Sequence, residues 1–141
     1  MTQAEILRFR AICAECGLAA THQRQVIFEV LQGMSGHPNP EEVYARVRKR
    51  IPAISLATVY KNLHLFIETG IFREVSVHHG SLRMEVNSRP HYHLVCTSCR
   101  TIVDLDEKDL KPLPKAGRIP GGFKVERFAI DVLGLCNKCQ N

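Results

Sequence analysis

Six cysteines fall as three CxxC pairs, Cys13/Cys16, Cys96/Cys99 and Cys136/Cys139. A CxxC turn brings two sulfurs to one side of the backbone. Two such turns make the tetrahedral thiolate set that Zn²⁺ prefers, with Zn–S about 2.3 Å. Cys96, Cys99, Cys136 and Cys139 are therefore expected to hold one zinc ion, and because sulfur fills all four positions the ion is structural, with none open for catalysis. A redox CxxC normally opens a helix after a strand, where the helix dipole lowers a thiol pKa. Here the first distal pair joins two predicted strands and the second ends one. Cys13 and Cys16 share a helical stripe with Phe9 and Ile12. Core packing is favoured for them over a third metal arm, since a free cysteine packs as a small hydrophobe.

The elements that must position these residues change character along the chain. Residues 4–16 carry Phe9, Ile12, Cys13 and Cys16 at helical spacing and stop at Gly17, and residues 23–32 carry Val26, Ile27, Val30 and Leu31. Asn39, Pro40 and Glu42 spell a helix start with a capping box, and Val43, Tyr44, Val47 and Ile51 face inward until Pro52 ends the pattern. Ser55 caps a fourth helix, with Leu56, Val59, Leu63 and Phe66 as its buried stripe and Gly70 as its stop. The period then changes to two. Val75 and Val77, an HHGS turn, and Leu82, Met84 and Val86 predict a β-hairpin. Helices followed by a hairpin make a winged helix-turn-helix, a DNA-binding arrangement.

A polar break ending in Pro90 predicts a hinge at 85–90 between a domain at 1–84 and a second at 91–141. In the second, HYHLV and RTIVDL flank a CxxC as a hairpin, FKVERFAIDVLGL reads as a long strand, and EKDLKPLPKAG allows a short helix limited by Pro112 and Pro114. The expected class is thus α+β: an N-terminal winged helix-turn-helix and a small C-terminal α/β domain built around a Cys₄ zinc site. Some fifty residues cannot bury much core, and zinc supplies on the order of 10–16 kcal/mol to such a module.

Bulk properties bound the rest. The net charge is +5 and the pI near 9.0. Residues 1–84 hold 10 Lys/Arg against 7 Asp/Glu, and residues 85–141 hold 9 against 7, so neither part is a basic tail. Charge permits a nucleic-acid partner without deciding it. No run approaches the ~18 apolar residues of a membrane span, and no membrane partner is expected. The opening MTQAEILRFRAICAEC lacks the pattern of a secretory signal, so a cytoplasmic location is expected. In a reducing cytosol, paired cysteines favour metal over disulfides.

With its apolar stripe inward, the fourth helix turns Ala57, Tyr60, Lys61 and His64 outward. Tyr60 suits thymine methyls and sugars, Lys61 a phosphate or guanine, and Ser55 and Thr58 the phosphates near the helix start. Arg46, Arg48, Lys49 and Arg50 add charge nearby. The alternative is a solvated face on a protein-binding module.

HPNPEEVY at His37, SLATVYKNL at Ser55, PHYHLVCTSC from Pro90 to Cys99 and the closing CNKC together resemble the ferric uptake regulator family of metal-dependent bacterial repressors, over nearly the whole chain. HYHLVC and IVDLD look like its peroxide-responsive branch. The resemblance implies a homodimer paired through the C-terminal domains, which grips a palindromic double-stranded operator. It also implies a regulatory Fe²⁺ or Mn²⁺ site, whose positions match His37, Glu85, His91, His93 and Asp104. His91 and His93, at i and i+2, share one strand face, and the mixed N/O set suits Fe²⁺ or Mn²⁺ better than a soft thiolate metal. The implied mechanism is oxidation of His37 or His91 by peroxide at bound Fe²⁺, with loss of iron and release of DNA. His22, His78 and His79 match no ligand position.

Two departures stand out. Glu85 occupies a position that is usually aspartate in the peroxide branch and glutamate in iron-sensing relatives, whereas Asp104 keeps the short carboxylate; Pro112 and Pro114 fall where a dimerisation helix is expected. An iron-responsive repressor is the alternative function. A thiol oxidoreductase or zinc enzyme is the rival from another class, and a filled Cys₄ site denies it an open metal position.

Overall fold

The computed structural model describes residues 2–75, 81–87, 89–110, 121–125 and 127–140. Val77 with His78, His79 and Gly80 of the expected turn, the hinge residue Ser88, and the segment with Pro112 and Pro114 lie outside the described residues. The chain divides into two compact units, Met1–Asn87 and Ser88–Asn141.

Among its described residues the first unit holds four α-helices: α1 (Gln3–Glu15), α2 (His22–Gln32), α3 (Pro40–Val47) and α4 (Leu56–Glu68). Each start has a side-chain cap that satisfies an otherwise orphaned N–H. Thr2 with Glu5 and Asn39 with Glu42 form reciprocal capping boxes; Thr21 and Ser55 accept from Arg24 and Thr58. Gly70 follows α4 at φ +78°, a conformation glycine adopts without a Cβ clash. A short antiparallel pair follows, β1 (Arg73–Glu74) with β2 (Met84–Glu85), in the register Arg73 to Glu85 and Glu74 to Met84. Among the described residues this pairing agrees with the expected hairpin.

The core of this unit draws on every helix: Phe9, Ile27, Leu31, Val43, Val47, Val59, Leu63 and Phe66 are all fully buried. Phe28 joins Phe9, Phe66 and Phe72 in one aromatic cluster, with ring centroids 4.9 to 6.5 Å apart. Cys13 is 1% exposed and part of this core, and Cys16 is half-buried with its thiol on Thr69 O at 3.5 Å. Both pack as expected. One polar group sits beside the core: Asn62 is 5% exposed, takes Arg24 Nε at 3.0 Å and donates to Thr58 O at 2.9 Å. That network ties α4 to α2 and satisfies the buried amide.

The second unit is built on a three-stranded sheet in the order β4 (Ile102–Asp106), β3 (His91–Cys96), β5 (Asp131–Gly134). β3 is antiparallel to β4 and parallel to β5. A single 3₁₀ turn, Glu107–Asp109, follows β4. The long strand expected over residues 123–135 is reduced to four residues. With Asp131 opposite His93, any upstream extension of β5 soon runs past the start of β3 and meets Pro90, which has no N–H to give a ladder. Among the described residues of this unit only Tyr92, Val95 and Cys96 are buried. A core that small is a weak source of stability.

Candidate functional site

The four distal cysteines gather at one end of the sheet. β3 ends at Cys96, and the following turn brings Cys99 back, closed by Arg100 N to Cys96 O at 3.0 Å and Cys96 N to Thr101 O at 3.0 Å. The turn forces Arg100 to φ +66°, which costs a non-glycine residue about 1 kcal/mol or more. Just beyond β5, a second turn joins Cys136 and Cys139 through Cys139 N to Cys136 O at 2.9 Å. All four sulfurs lie within 4.8 Å of one another, and all are free thiols. Cys99 Sγ and Cys136 Sγ are 3.8 Å apart. A tetrahedron with Zn–S of 2.3 Å has an edge of about 3.8 Å, so the spacing fits zinc.

The electrostatics agree. The backbone N–H of Cys136, and after it that of Cys99, point at the Cys96 sulfur and draw its pKa down to about 6. Cys139 is pushed up to about 12, chiefly by its hydrogen bond with the Cys136 sulfur. A divalent ion displaces thiol protons when it binds such a set. The chemistry of the set is that of a closed structural zinc site.

A second group of predicted residues lies at the other end of the same sheet. His91 and His93 occupy alternate positions of β3, and Asp104 is opposite His93 on β4. His91 Nε2 and His93 Nε2 are 3.1 Å apart, and Asp104 Oδ1 is 3.4 Å from the first and 3.7 Å from the second. The remaining ring nitrogens are held as well. His91 Nδ1 meets Arg89 O, and His93 Nδ1 faces Asp131 Oδ1 at 3.7 Å. Two imidazoles and a carboxylate converging by one atom each are a hard-to-borderline donor set, suited to Fe²⁺ or Mn²⁺.

The first unit holds the other two predicted ligands together. His37 precedes the cap of α3, and Glu85 ends β2. Met84 N donates to Pro38 O at 2.9 Å and Arg83 Nη1 to His37 O at 3.1 Å, which lashes the His37 loop to the strand. His37 Nε2 is then 3.8 Å from Glu85 Oε1, with both side chains less than a tenth exposed. Arg83 was not singled out from the sequence. Its bond spans 46 residues, and nothing local signals it.

The predicted DNA-facing residues sit as follows. Ala57 and Lys61 are exposed on α4, as is His64. Ser55 Oγ caps Thr58 N at 3.1 Å and pairs with Thr58 Oγ1 at 2.9 Å, so the two hydroxyls at the helix start are joined. Tyr60 is half-buried. Its hydroxyl donates to Glu41 Oε1 of α3 at 3.0 Å, which raises its pKa, and its ring lies against His64. Arg50 is drawn to Glu29 at 2.6 Å, while Arg48 lies over the Tyr44 ring. Glu41 was missed by sequence reasoning because a carboxylate beside a presumed phosphate-facing helix has no place in a simple basic-face pattern.

Among the described residues no helix is long and apolar enough to cross a membrane. The sequence pattern of the Ferric uptake regulator family matches residues 15–133. The peroxide-responsive repressor PerR of Staphylococcus aureus (strain Mu50 / ATCC 700699) is 32% identical over 127 residues, which is 90% of this chain and 86% of that one. The Campylobacter jejuni peroxide stress regulator superposes with a TM-score of 0.61 at 27% identity, over 99% of this chain and 100% of its own. The ferric uptake regulator Fur of Helicobacter pylori shares the fold, with a TM-score of 0.74 at 19% identity over 99% and 94% of the two chains.

Proposed function

Since the chain belongs to the ferric uptake regulator family, we propose that it is a peroxide-sensing repressor, in which His37, Glu85, His91, His93 and Asp104 hold one regulatory ion and the winged-helix unit binds a palindromic operator as part of a homodimer. It is a metal-responsive transcription regulator and not an enzyme, as family members are. The observation that carries the finer reading is the corner formed by His91, His93 and Asp104, where a short carboxylate lies 3.4 and 3.7 Å from two ring nitrogens that already face each other. In this reading occupation of the site by the ion is the signal on which DNA binding through α4 depends.

Bound Fe²⁺ supplies the one-electron chemistry that turns hydrogen peroxide into a local oxidant; Mn²⁺ supports repression without it. The residues do the rest. His37 and His91 are the rings that take up oxygen, in the net change imidazole plus hydrogen peroxide to 2-oxo-imidazole plus water. The product ring has lost a basic nitrogen lone pair and no longer ligates. The site then lacks an imidazole, the hinge is released, and DNA dissociates. The Cys₄ zinc takes no part in the signal.

The test is to load the zinc-bound protein with Fe²⁺, add dilute hydrogen peroxide and map its peptides by mass. A gain of one oxygen on the His37 or His91 peptide, with loss of operator binding, is the expected result. Unmodified peptides with reversible, iron-dependent DNA binding would favour the iron-responsive reading, which Glu85 supports because its longer side chain is the one usual in iron-sensing relatives.

The DNA-facing assignment of Ser55, Ala57, Thr58, Tyr60 and Lys61 is also part of the proposal. Removing the ring in Tyr60→Ala is expected to weaken operator binding about tenfold, or 1.4 kcal/mol, with both metals retained. Tyr60→Phe should lose less, since it keeps the ring and gives up only the bond to Glu41. Equal gel-shift affinity for wild type and Tyr60→Ala would count against this face.

A further inference from the structure

Asp131 is an unusual residue for its place. It opens β5 within the apolar run Ile130, Asp131, Val132, Leu133, where strands disfavour aspartate. Its side chain is only 20% exposed, and a partly buried carboxylate needs compensation to remain there. The parallel register places it opposite His93, and His93 N to Ile130 O at 3.1 Å fixes that register. Both side chains therefore stand on the same face of the sheet.

The orientation of the His93 ring gives the pairing its meaning. Nε2 is the atom turned toward His91 and Asp104, and Nδ1 is turned toward Asp131 Oδ1 at 3.7 Å. Asp131 thus addresses the nitrogen that the converging group does not use. A carboxylate there favours the proton on Nδ1 and leaves the Nε2 lone pair for a metal. At the equivalent nitrogen of His91 stands the neutral carbonyl of Arg89.

We infer that Asp131 is a positioning residue for the regulatory ion, setting the tautomer and orientation of His93 from behind without ligating the metal. The inference rests on His91, His93 and Asp104 being metal ligands. Losing such a partner weakens metal binding by about 10- to 100-fold.

The experiment uses the full-length, zinc-loaded protein and Mn²⁺ as probe, with affinity read by electron paramagnetic resonance. Asp131→Ala is expected to weaken Mn²⁺ binding by about 10- to 100-fold at unchanged zinc content, and Asp131→Asn by less, because its amide oxygen still presents a negative dipole to Nδ1. A direct readout is long-range ¹H–¹⁵N NMR of the histidine rings before Mn²⁺ is added. His93 should carry its proton on Nδ1 in wild type and Asp131→Asn, and shift toward Nε2–H in Asp131→Ala. Unchanged affinity with an unchanged tautomer in Asp131→Ala overturns the inference. So does loss of zinc from both variants, which would make Asp131 a strut of the strand. His91→Ala separates the two levels of the argument. If it retains Mn²⁺, the site reading fails, and the NMR alone then decides whether Asp131 sets the His93 ring; if it loses Mn²⁺ while Asp131→Ala does not, only the role of Asp131 falls.

Discussion

Replacing Cys96 with serine is expected to unfold the second unit, release the zinc and abolish the dimer. Within that unit Tyr92, Val95 and Cys96 are the only buried side chains among the described residues, and the apolar burial they supply is worth several kcal/mol. A structural zinc contributes on the order of 10–16 kcal/mol, well above that core. Cys96 is also the thiol most favoured as thiolate, at the junction where the end of β3 meets the N–H of Cys136 at 3.4 Å. Serine keeps the volume but not the soft anionic donor. Metal analysis and analytical ultracentrifugation check the outcome, and a zinc-free yet dimeric variant would refute the structural role.

Phe66→Ala is expected to strike the other unit and spare the zinc. The ring is fully buried, meets Phe28 edge-on at 6.5 Å and Phe72 at 5.9 Å, and seats α4 on α2. Truncating a buried phenylalanine costs about 3–5 kcal/mol. Against a total of ~5–15 kcal/mol for a small domain, this removes a large share of the margin. Thermal melting followed by circular dichroism should show an earlier transition in the helical signal, with operator binding lost at a temperature the wild type tolerates and zinc still one per chain. A melt displaced by no more than an ordinary surface substitution would show that the ring does not anchor the helix.

These two variants separate the chain along the line that its local signals mark most clearly. Caps and apolar stripes are short-range features, and they carried the helices: Asn39 with Glu42, and Ser55 before Leu56, place two starts to the residue. The Cys₄ set was equally legible, because its spacing is written twice as CxxC. What pattern could not reach was pairing across distance. Asn62 lay on a polar position of a helix and gave no hint of Arg24, 38 residues earlier. The extent of β5 depended on where β3 begins, and so on Pro90. The role suggested for Asp131 follows only from the parallel register with His93, although an aspartate inside FAIDVLGL was a visible anomaly. His37 and Glu85 were named from resemblance alone; the bonds from Met84 and Arg83 supply the physical reason they lie together.

β3 and β5 run side by side over a paired stretch that starts at His93 and Asp131 and leads at its other end into Cys96 and Cys136. The two ends are only three ladder steps apart, roughly 10 Å at 3.3 Å per residue. On the proposed site reading, metal occupancy in this unit is expected to be hierarchical, with zinc first, because the ladder that it secures holds His93 and Asp131 in line. A chelator strong enough to strip the thiolates is then expected to erase the second site as well, whereas a weak chelator should empty the proposed regulatory position and leave a protein able to refill it.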